Sequence, residues 1–197
     1  MTVMNRRRAA MMLSLGLALA SGAALAAGAP KVKLTTTAGD IVIEVYPDKA
    51  PKTVDNFLRY VKDKQYDGTL FHRVIDNFMI QGGGFDAHYV QKPTRPPVVH
   101  EGREALAKGG PRNVAGTVAM ARTSDPNSAT AQFFINVKDN AFLDPTPRQD
   151  GYTVFGKVVS GMDVVNKIKV MPTGAAGPFP SDVPKTPVVI TSATLLE

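Results

Sequence analysis

The sequence has no cysteine among its 197 residues, and other hallmarks of enzymes are missing with it. Without cysteine there is no disulfide, so an apolar core has to stabilise the fold. His72, His88 and His100 lack metal-ligand spacing, no HExxH motif or paired carboxylate accompanies them, and no glycine run is followed by the Lys-Ser/Thr of a phosphate loop. These absences argue against a metal-dependent hydrolase, and we expect no metal site.

A basic surface for nucleic acid is missing as well. The formal net charge is +6, but it falls to +3 once the three arginines at positions 6–8 are set aside. No stripe of lysine and arginine with interleaved aromatic residues occurs, so we expect no nucleic-acid partner. The 44% of hydrophobic and 20% of charged residues are typical of a globular protein.

The first 26 residues have the three-part layout of a secretory signal peptide. Arginines precede an apolar run at positions 9–20, and Ala24 and Ala26 form a small-x-small cleavage site. The run is shorter than the roughly 20 residues that span a bilayer, which disfavours an uncleaved anchor helix. Adjacent arginines also permit twin-arginine export, although the following Ala-Ala-Met favours the general route. We expect cleavage after Ala26, a single mature domain at 27–197, and no stable membrane association afterwards.

The mature chain alternates apolar and polar residues in many short segments, which predicts a mainly β protein. Helices are predicted after Pro51, a residue suited to a first helical turn, and at 162–170. Two segments rich in proline and glycine, 86–113 and 174–187, are predicted to be irregular. A long connection of this kind is usually functional or mobile. The pattern by itself leaves a barrel and a sandwich as alternatives.

The stretch LFHRVIDNFMIQGGG, at positions 70–84, carries the most information. Its two short strands put Arg73 and Gln81 on one polar side, with Phe78 supplying apolar surface beside them. His72 then points to the opposite face, where we interpret it as a structural residue. The glycines are predicted to let the chain turn out of the strand. The result is an apolar pocket with one permanent cation and one amide, so chemistry there has to work by shape and hydrogen bonding.

This stretch resembles the signature of the cyclophilins, the cyclosporin-binding class of peptidyl-prolyl isomerases. The resemblance continues in order along the chain, through the motifs GTVAMAR at 116–122, AQFFIN at 131–136, FLD at 142–144, YTVFGKV at 152–158 and GMDVV at 161–165. It implies a closed eight-stranded antiparallel β-barrel capped by two α-helices. It also implies a monomer that accelerates rotation about X–Pro bonds without a cofactor.

The resemblance assigns roles to individual residues. Arg73 is implied as the catalytic residue, with Phe78 and Gln81 beside it. The pocket for a substrate proline ring, and the contacts that hold the flanking peptide, are implied for Met79, Ala121, Arg122, Gln132, Phe134, Phe142, Leu143 and Tyr152.

The chemistry suits an arginine. Rotation about an X–Pro bond breaks amide resonance, a barrier of roughly 18–20 kcal/mol. In the twisted state the proline nitrogen gains a lone pair, and a donor aimed at it stabilises the twisted amide but not the planar one. Arg73 is always charged and presents its donors on a rigid plane. The reaction needs neither proton transfer nor a covalent intermediate.

Three positions depart from the commonest eukaryotic pattern, which has Asn, Trp and His where this chain has Arg122, Phe142 and Tyr152. All three departures resemble those of periplasmic bacterial cyclophilins, and with the leader they predict a periplasmic protein. Because phenylalanine lacks the indole N–H, we expect cyclosporin to bind this chain only weakly.

Two hypotheses of different classes follow. The leading one is an isomerase that acts on proline-containing segments of unfolded or folding exported proteins and assists their folding. The other is a binding module, a proline-peptide receptor or holdase on the same scaffold. Arg73 favours the enzyme, since binding alone does not need a donor for the twisted amide.

Overall fold

Alternation of inward apolar and outward polar side chains builds the first hairpin of the structure, a computed structural model that describes residues 28–196. Strands β1 (Lys31–Thr36) and β2 (Gly39–Val45) pair antiparallel. Their inward side chains, such as Leu34 and Ile43, are fully buried, as a period of two residues requires. The predicted signal peptide and its cleavage site lie outside the described residues.

Eight strands close into the predicted antiparallel barrel. In chain order the further strands are β3 (Thr69–Ile75), β4 (Met79–Asp86), β5 (Thr117–Met120), β6 (Phe133–Asn136), β7 (Val154–Ser160), β8 (Thr173–Ala176), β9 (Phe179–Pro184) and β10 (Val189–Leu196). The barrel order is β1-β10-β3-β4-β6-β5-β7-β2, so β1 and β2 complete the ring. Closure removes the free edges that a sandwich would have kept.

The two predicted helices are α1 (Pro51–Lys62) and α3 (Met162–Lys169). Proline occupies the first turn of α1, where a missing N–H costs nothing. Phe57 of α1 is fully buried and packs against the rings of Phe133 and Phe155 inside the barrel, at centroid distances of 5.8 and 5.0 Å. The barrel interior is therefore covered by an amphipathic helix, as the periodicity predicted. None of the described helices is both long and apolar enough to cross a bilayer.

The segment at 86–113 is more ordered than predicted, because it contains a third, short helix, α2 (Gly102–Ala107). Just before α2 lies Glu101, which is only 2% exposed. Its carboxylate accepts hydrogen bonds from Lys52 N at 3.1 Å, from Thr53 N at 2.8 Å and from Thr53 Oγ1 at 2.8 Å. A carboxylate is favourable at the N–H groups that open a helix, so Glu101 ties this segment to the start of α1.

The prediction that the three glycines turn the chain out of its strand is wrong. Gly82, Gly83 and Gly84 lie inside β4, where the β3–β4 register shifts twice. Gly83 has φ of +85°, a conformation that glycine adopts without strain. At Gly84 a Cβ atom would come within 2.5 Å of Gln132 Cγ. The glycines therefore allow a bulged strand to pass close to side chains of its neighbours.

The proline- and glycine-rich segment at 174–187 was predicted to be irregular, but it contains most of the hairpin β8–β9. The hairpin lies outside the barrel ring and packs on β3. Phe179 anchors it: the ring lies 4.9 Å from that of Phe85 and 5.2 Å from that of His72. These aromatic contacts join residues about a hundred positions apart, so no local pattern could predict them.

Candidate active site

A small pocket of about 100 Å³ gathers nine of the eleven predicted site residues. They are Arg73, Phe78, Met79, Gln81, Ala121, Arg122, Phe134, Leu143 and Tyr152. A larger depression of about 790 Å³ between α1 and β10 shares none of these residues. Because the small pocket combines an apolar floor with a cation and an amide, it is the better candidate for chemistry.

The floor of the pocket is apolar and is separate from the barrel interior. Met79, Phe134 and Leu143 are 1%, 4% and 7% exposed, and together with Ala119 and Val154 they form their own cluster. Strand alternation explains the separation, because the neighbours of Met79 and Phe134 in β4 and β6 point into the barrel core. The floor of the pocket therefore lies on the outer face of four adjacent strands, β4, β6, β5 and β7.

Arg73 lies at one side of this floor, opposite Gln81 in the β3–β4 register. The Arg73 Nη1 atom is 3.5 Å from Gln81 Oε1, and Gln81 Nε2 donates to Gln132 Oε1 at 2.9 Å. The guanidinium carbon is 6.0 Å from the centre of the Phe78 ring. Within residues 28–196 no acidic side chain forms an ion pair with Arg73. Apart from the Nη1 contact with Gln81, its donors therefore remain available to a ligand.

Phe142 and Gln132 are the two predicted residues outside the pocket lining. Phe142 is 64% exposed and stacks on Phe78, with the ring centres 5.6 Å apart, so it forms a rim. Gln132 lines a neighbouring groove of about 310 Å³, which shares Gln81, Ala121 and Arg122 with the pocket. The groove adds neutral polar residues that the sequence patterns did not single out: Gln91, Thr94, Thr123, Ser128 and Thr130. They lie in loops, where spacing carries no signal for a common surface.

The side chain of Arg122 joins two loops rather than offering its charge freely. Its Nη2 and Nε atoms donate to Gly151 O at 2.7 and 3.0 Å, and its Nη1 donates to Thr123 O at 2.8 Å. The guanidinium also lies 4.6 Å from the centre of the Tyr152 ring, which packs edge-on against Phe134. Arg122 therefore fixes one wall of the pocket by cation–π contact and hydrogen bonding.

His72 points away from the pocket, as predicted. It is 2% exposed between the rings of Phe85 and Phe179, and its Nδ1 has no hydrogen-bond partner among the described residues. Burial lowers the pKa of His72 to about 4, because the charged imidazolium would lose its hydration there. His72 is therefore neutral near pH 7 and contributes packing to the back of the site.

Residues 31–195 match the protein-family model described as "Cyclophilin type peptidyl-prolyl cis-trans isomerase/CLD". The chain belongs to the cyclophilin family. This cyclophilin is a peptidyl-prolyl cis-trans isomerase, in agreement with the names of its relatives.

This cyclophilin is 56% identical to the peptidyl-prolyl cis-trans isomerase cyp18 of Streptomyces antibioticus over 168 residues, which covers 84% of this chain and 98% of the relative. It is 50% identical to peptidyl-prolyl cis-trans isomerase A of Dickeya dadantii over 193 residues, which covers 98% of both chains. A crystal structure of a Cryptosporidium parvum cyclophilin, obtained in the presence of the dipeptide Ala-Pro, has the same fold: the TM-score is 0.66 at 24% identity, over 85% of this chain and 99% of that one.

Proposed function

We propose that this cyclophilin is exported and isomerises X–Pro bonds in other exported proteins, with Arg73 stabilising the twisted amide. The observation that carries the mechanism is the position of Arg73. It borders an apolar pocket, faces Gln81 and has no ion-pair partner within residues 28–196. A cation so placed can direct a donor at the nitrogen of a proline ring seated in the pocket.

One hydrogen bond from Arg73 is too weak to account for the acceleration expected of an isomerase. A 10⁵-fold acceleration corresponds to about 7 kcal/mol, whereas a hydrogen bond to a charged group contributes about 1.5–3 kcal/mol. We assign the rest of the transition-state stabilisation to two contributions. One is the exclusion of water by the floor of Met79, Phe134 and Leu143, and the other is the positioning of the flanking peptide by Gln81 and Gln132. The row of contacts from Gln132 through Gln81 to Arg73 orients the guanidinium before a substrate arrives.

The proposed ligand is a proline-containing segment of an unfolded or folding protein. The pocket volume of about 100 Å³ suits a compact apolar ring, and the neighbouring polar groove can hold the backbone and side chains that flank it. The Cryptosporidium parvum cyclophilin of the same fold was crystallised in the presence of the dipeptide Ala-Pro, which supports this ligand class. Cyclosporin is proposed as a weak ligand of the same pocket.

The proposal of export and a periplasmic location rests on the signal-peptide layout of the first 26 residues. The match to isomerase A of Dickeya dadantii covers 98% of the chain, so it includes most of the first 26 residues, whereas the Streptomyces match covers 84%. We propose that residues 1–26 are a cleaved signal peptide. Intact-mass measurement of protein recovered from the periplasm of an exporting bacterium should show a chain that begins at Ala27. A soluble periplasmic form that retains Met1 would contradict the proposal.

A peptide isomerisation assay on the mature protein tests the mechanism. Because the guanidinium stays charged, the rate should be independent of pH between about 6.5 and 9, and a chelator should not change it. Binding of the peptide without acceleration would point instead to a receptor or holdase. Loss of the rate with a chelator would point to a metal and against the proposed role of Arg73.

A further inference from the structure

Three buried asparagines form a head-to-tail chain between two residues that line the pocket, Phe78 at its side and Leu143 in its floor. Asn140 Nδ2 donates to Phe78 O and to Asn136 Oδ1, both at 2.8 Å. Asn136 Nδ2 donates to Asn113 Oδ1 at 3.2 Å, and Asn113 Nδ2 donates to Leu143 O at 3.2 Å. This asparagine chain (Asn113, Asn136 and Asn140) therefore ends on the backbone carbonyls of Phe78 and Leu143.

The direction of the asparagine chain is fixed by its neighbours. Asn140 Nδ2 lies between two acceptor oxygens, so a flipped amide would place oxygen against oxygen. At the other end, Asn113 Nδ2 also donates to the buried Asp144 carboxylate at 3.0 Å, and Asn113 N donates to the same oxygen at 2.8 Å. Each asparagine is at most 1% exposed. The Asn140 Oδ1 atom is buried without a hydrogen-bond partner among the described residues, whereas the other amide atoms of the asparagine chain are paired in one consistent direction, which restricts their movement.

The two carbonyls lie outside the strands of the barrel, so no strand ladder holds them. Phe78 lies in the turn between β3 and β4, and Leu143 ends a short 3₁₀ turn at Ala141–Leu143. Neither residue takes part in a strand ladder. Phe78 O accepts hydrogen bonds from Asn140 Nδ2 and from Val137 N, the latter at 3.1 Å. Leu143 O accepts from Asn113 Nδ2 and also from Tyr152 N at 2.9 Å. Each carbonyl is thus held by one backbone bond and one bond from the asparagine chain, which forms a side-chain link between Phe78 and Leu143.

We propose that Asn140 and Asn113 are positioning residues that set the width of the proline-ring pocket through Phe78 O and Leu143 O. The inference rests on the proposed function, in which the proline ring occupies this pocket. In the proposed complex the proline ring contacts Phe78 and Leu143 equally whether the substrate amide is planar or twisted. Loss of the spacing should therefore weaken substrate binding and leave the bound isomerisation step unchanged.

The test compares Asn140→Ala and Asn113→Ala with the wild type in an NMR line-shape titration of a short X–Pro peptide. This measurement gives the dissociation constant of the peptide and the isomerisation rate on the enzyme separately. We expect the dissociation constant to rise about three- to tenfold, the effect of one misplaced hydrogen-bonded contact, and the bound rate to stay within about twofold. Asn113→Ala carries the test alone if Asn140→Ala does not fold.

Ile168→Val is the matched control, because Ile168 is fully buried in the main core on α3 and takes no part in the pocket. It should lower thermal stability without changing the dissociation constant at a temperature well below unfolding. Unchanged peptide binding in both asparagine variants would overturn the inference. A lower bound rate at unchanged affinity would also overturn it.

Failure of the inference is distinguishable from failure of the proposed function. If Arg73→Ala and Phe134→Ala both leave isomerisation intact, the pocket is not the active site and the proposed function is wrong. If those two variants lose activity while the asparagine variants bind peptide normally, only the positioning role is wrong.

Discussion

Arg73 and Gln81 face each other across the β3–β4 pair, and the amide of Gln81 turns its oxygen toward the guanidinium. The orientation of that amide is set by Gln132, whose Oε1 accepts the Gln81 Nε2 donor at 2.9 Å. Because the Gln81 nitrogen points to Gln132, the Gln81 oxygen faces Arg73 and serves as an acceptor. A row of three side chains thus directs the cation that we propose as the catalytic group.

Arg73→Ala should remove most isomerase activity and leave the fold intact. Loss of one donor to developing charge in a transition state costs about 10²- to 10³-fold in rate. Arg73 has no ion-pair partner among the described residues, so thermal unfolding should change little. Arg73→Lys should also be poor, because an ammonium cannot reproduce the planar guanidinium.

The measurement is peptide isomerisation combined with thermal unfolding, and Arg59→Ala is the control. Arg59 lies on α1 in an exposed ion pair with Asp55, so its loss removes one charge away from the pocket. A folded Arg73→Ala protein with near wild-type turnover would show that Arg73 is not the catalytic group.

Gly84→Ala should weaken peptide binding while the protein still folds. The new Cβ would lie 2.5 Å from Gln132 Cγ and 2.7 Å from its Nε2, so the flexible Gln132 side chain has to move. Its hydrogen bond with Gln81 would then be lost. We expect the dissociation constant of an X–Pro peptide to rise about threefold to tenfold, as for one lost hydrogen bond.

Gly68→Ala is the control for this substitution. Its Cβ would meet no atom within 4 Å, although its φ of +78° adds some strain of its own. Normal peptide affinity in Gly84→Ala, measured by calorimetry, would mean that the Gln81–Gln132 contact does not support binding.

Phe142→Trp should tighten cyclosporin binding. Phe142 is an exposed rim residue stacked on Phe78, and an indole there would add an N–H donor and contact area. One neutral hydrogen bond contributes about 0.5–1.5 kcal/mol, so up to roughly a tenfold change follows. Peptide turnover should change little, because the proline ring is proposed to sit deeper, on Phe134 and Leu143. Equal cyclosporin affinity in a calorimetric titration of both proteins would show that position 142 does not set the affinity, and Arg122 or Tyr152 would then be the residues to substitute.

The free energy of unfolding should fall as the pH is lowered from about 6.5 toward 4, in part because of His72. The unfolded chain binds a proton on this histidine with the ordinary pKa of about 6.5, whereas burial lowers the folded pKa to about 4. The contribution of the neutral, buried His72 to the free energy of unfolding is therefore complete above pH 6.5. It decreases as the pH falls from 6.5 to 4, by about 3 kcal/mol at most. His72→Gln should show a smaller pH dependence in urea unfolding. Parallel pH profiles for the two proteins would rule out His72 as the cause.

The sequence alone determined which side chains share the face that carries the site. Side-chain direction in a strand depends only on whether positions are odd or even, so Arg73 and Gln81 could be placed together from the pattern. The motif resemblance then predicted nine of the residues that line the pocket. The same local rule predicted that His72 points away from Arg73, and in the structure His72 packs on Phe85 and Phe179 rather than on the pocket.

Tertiary structure decided the rest, because it depends on contacts between residues far apart in the chain. The glycines of β4 are needed for the close approach of Gln132, some fifty positions away, and local pattern could only suggest a turn. Glu101 is held by α1, and the hairpin β8–β9 is held by Phe85 and His72, so neither ordered segment had a local signal. Barrel and sandwich share one alternating pattern, and only the pairing of β1 with β10 and of β2 with β7 closes the ring.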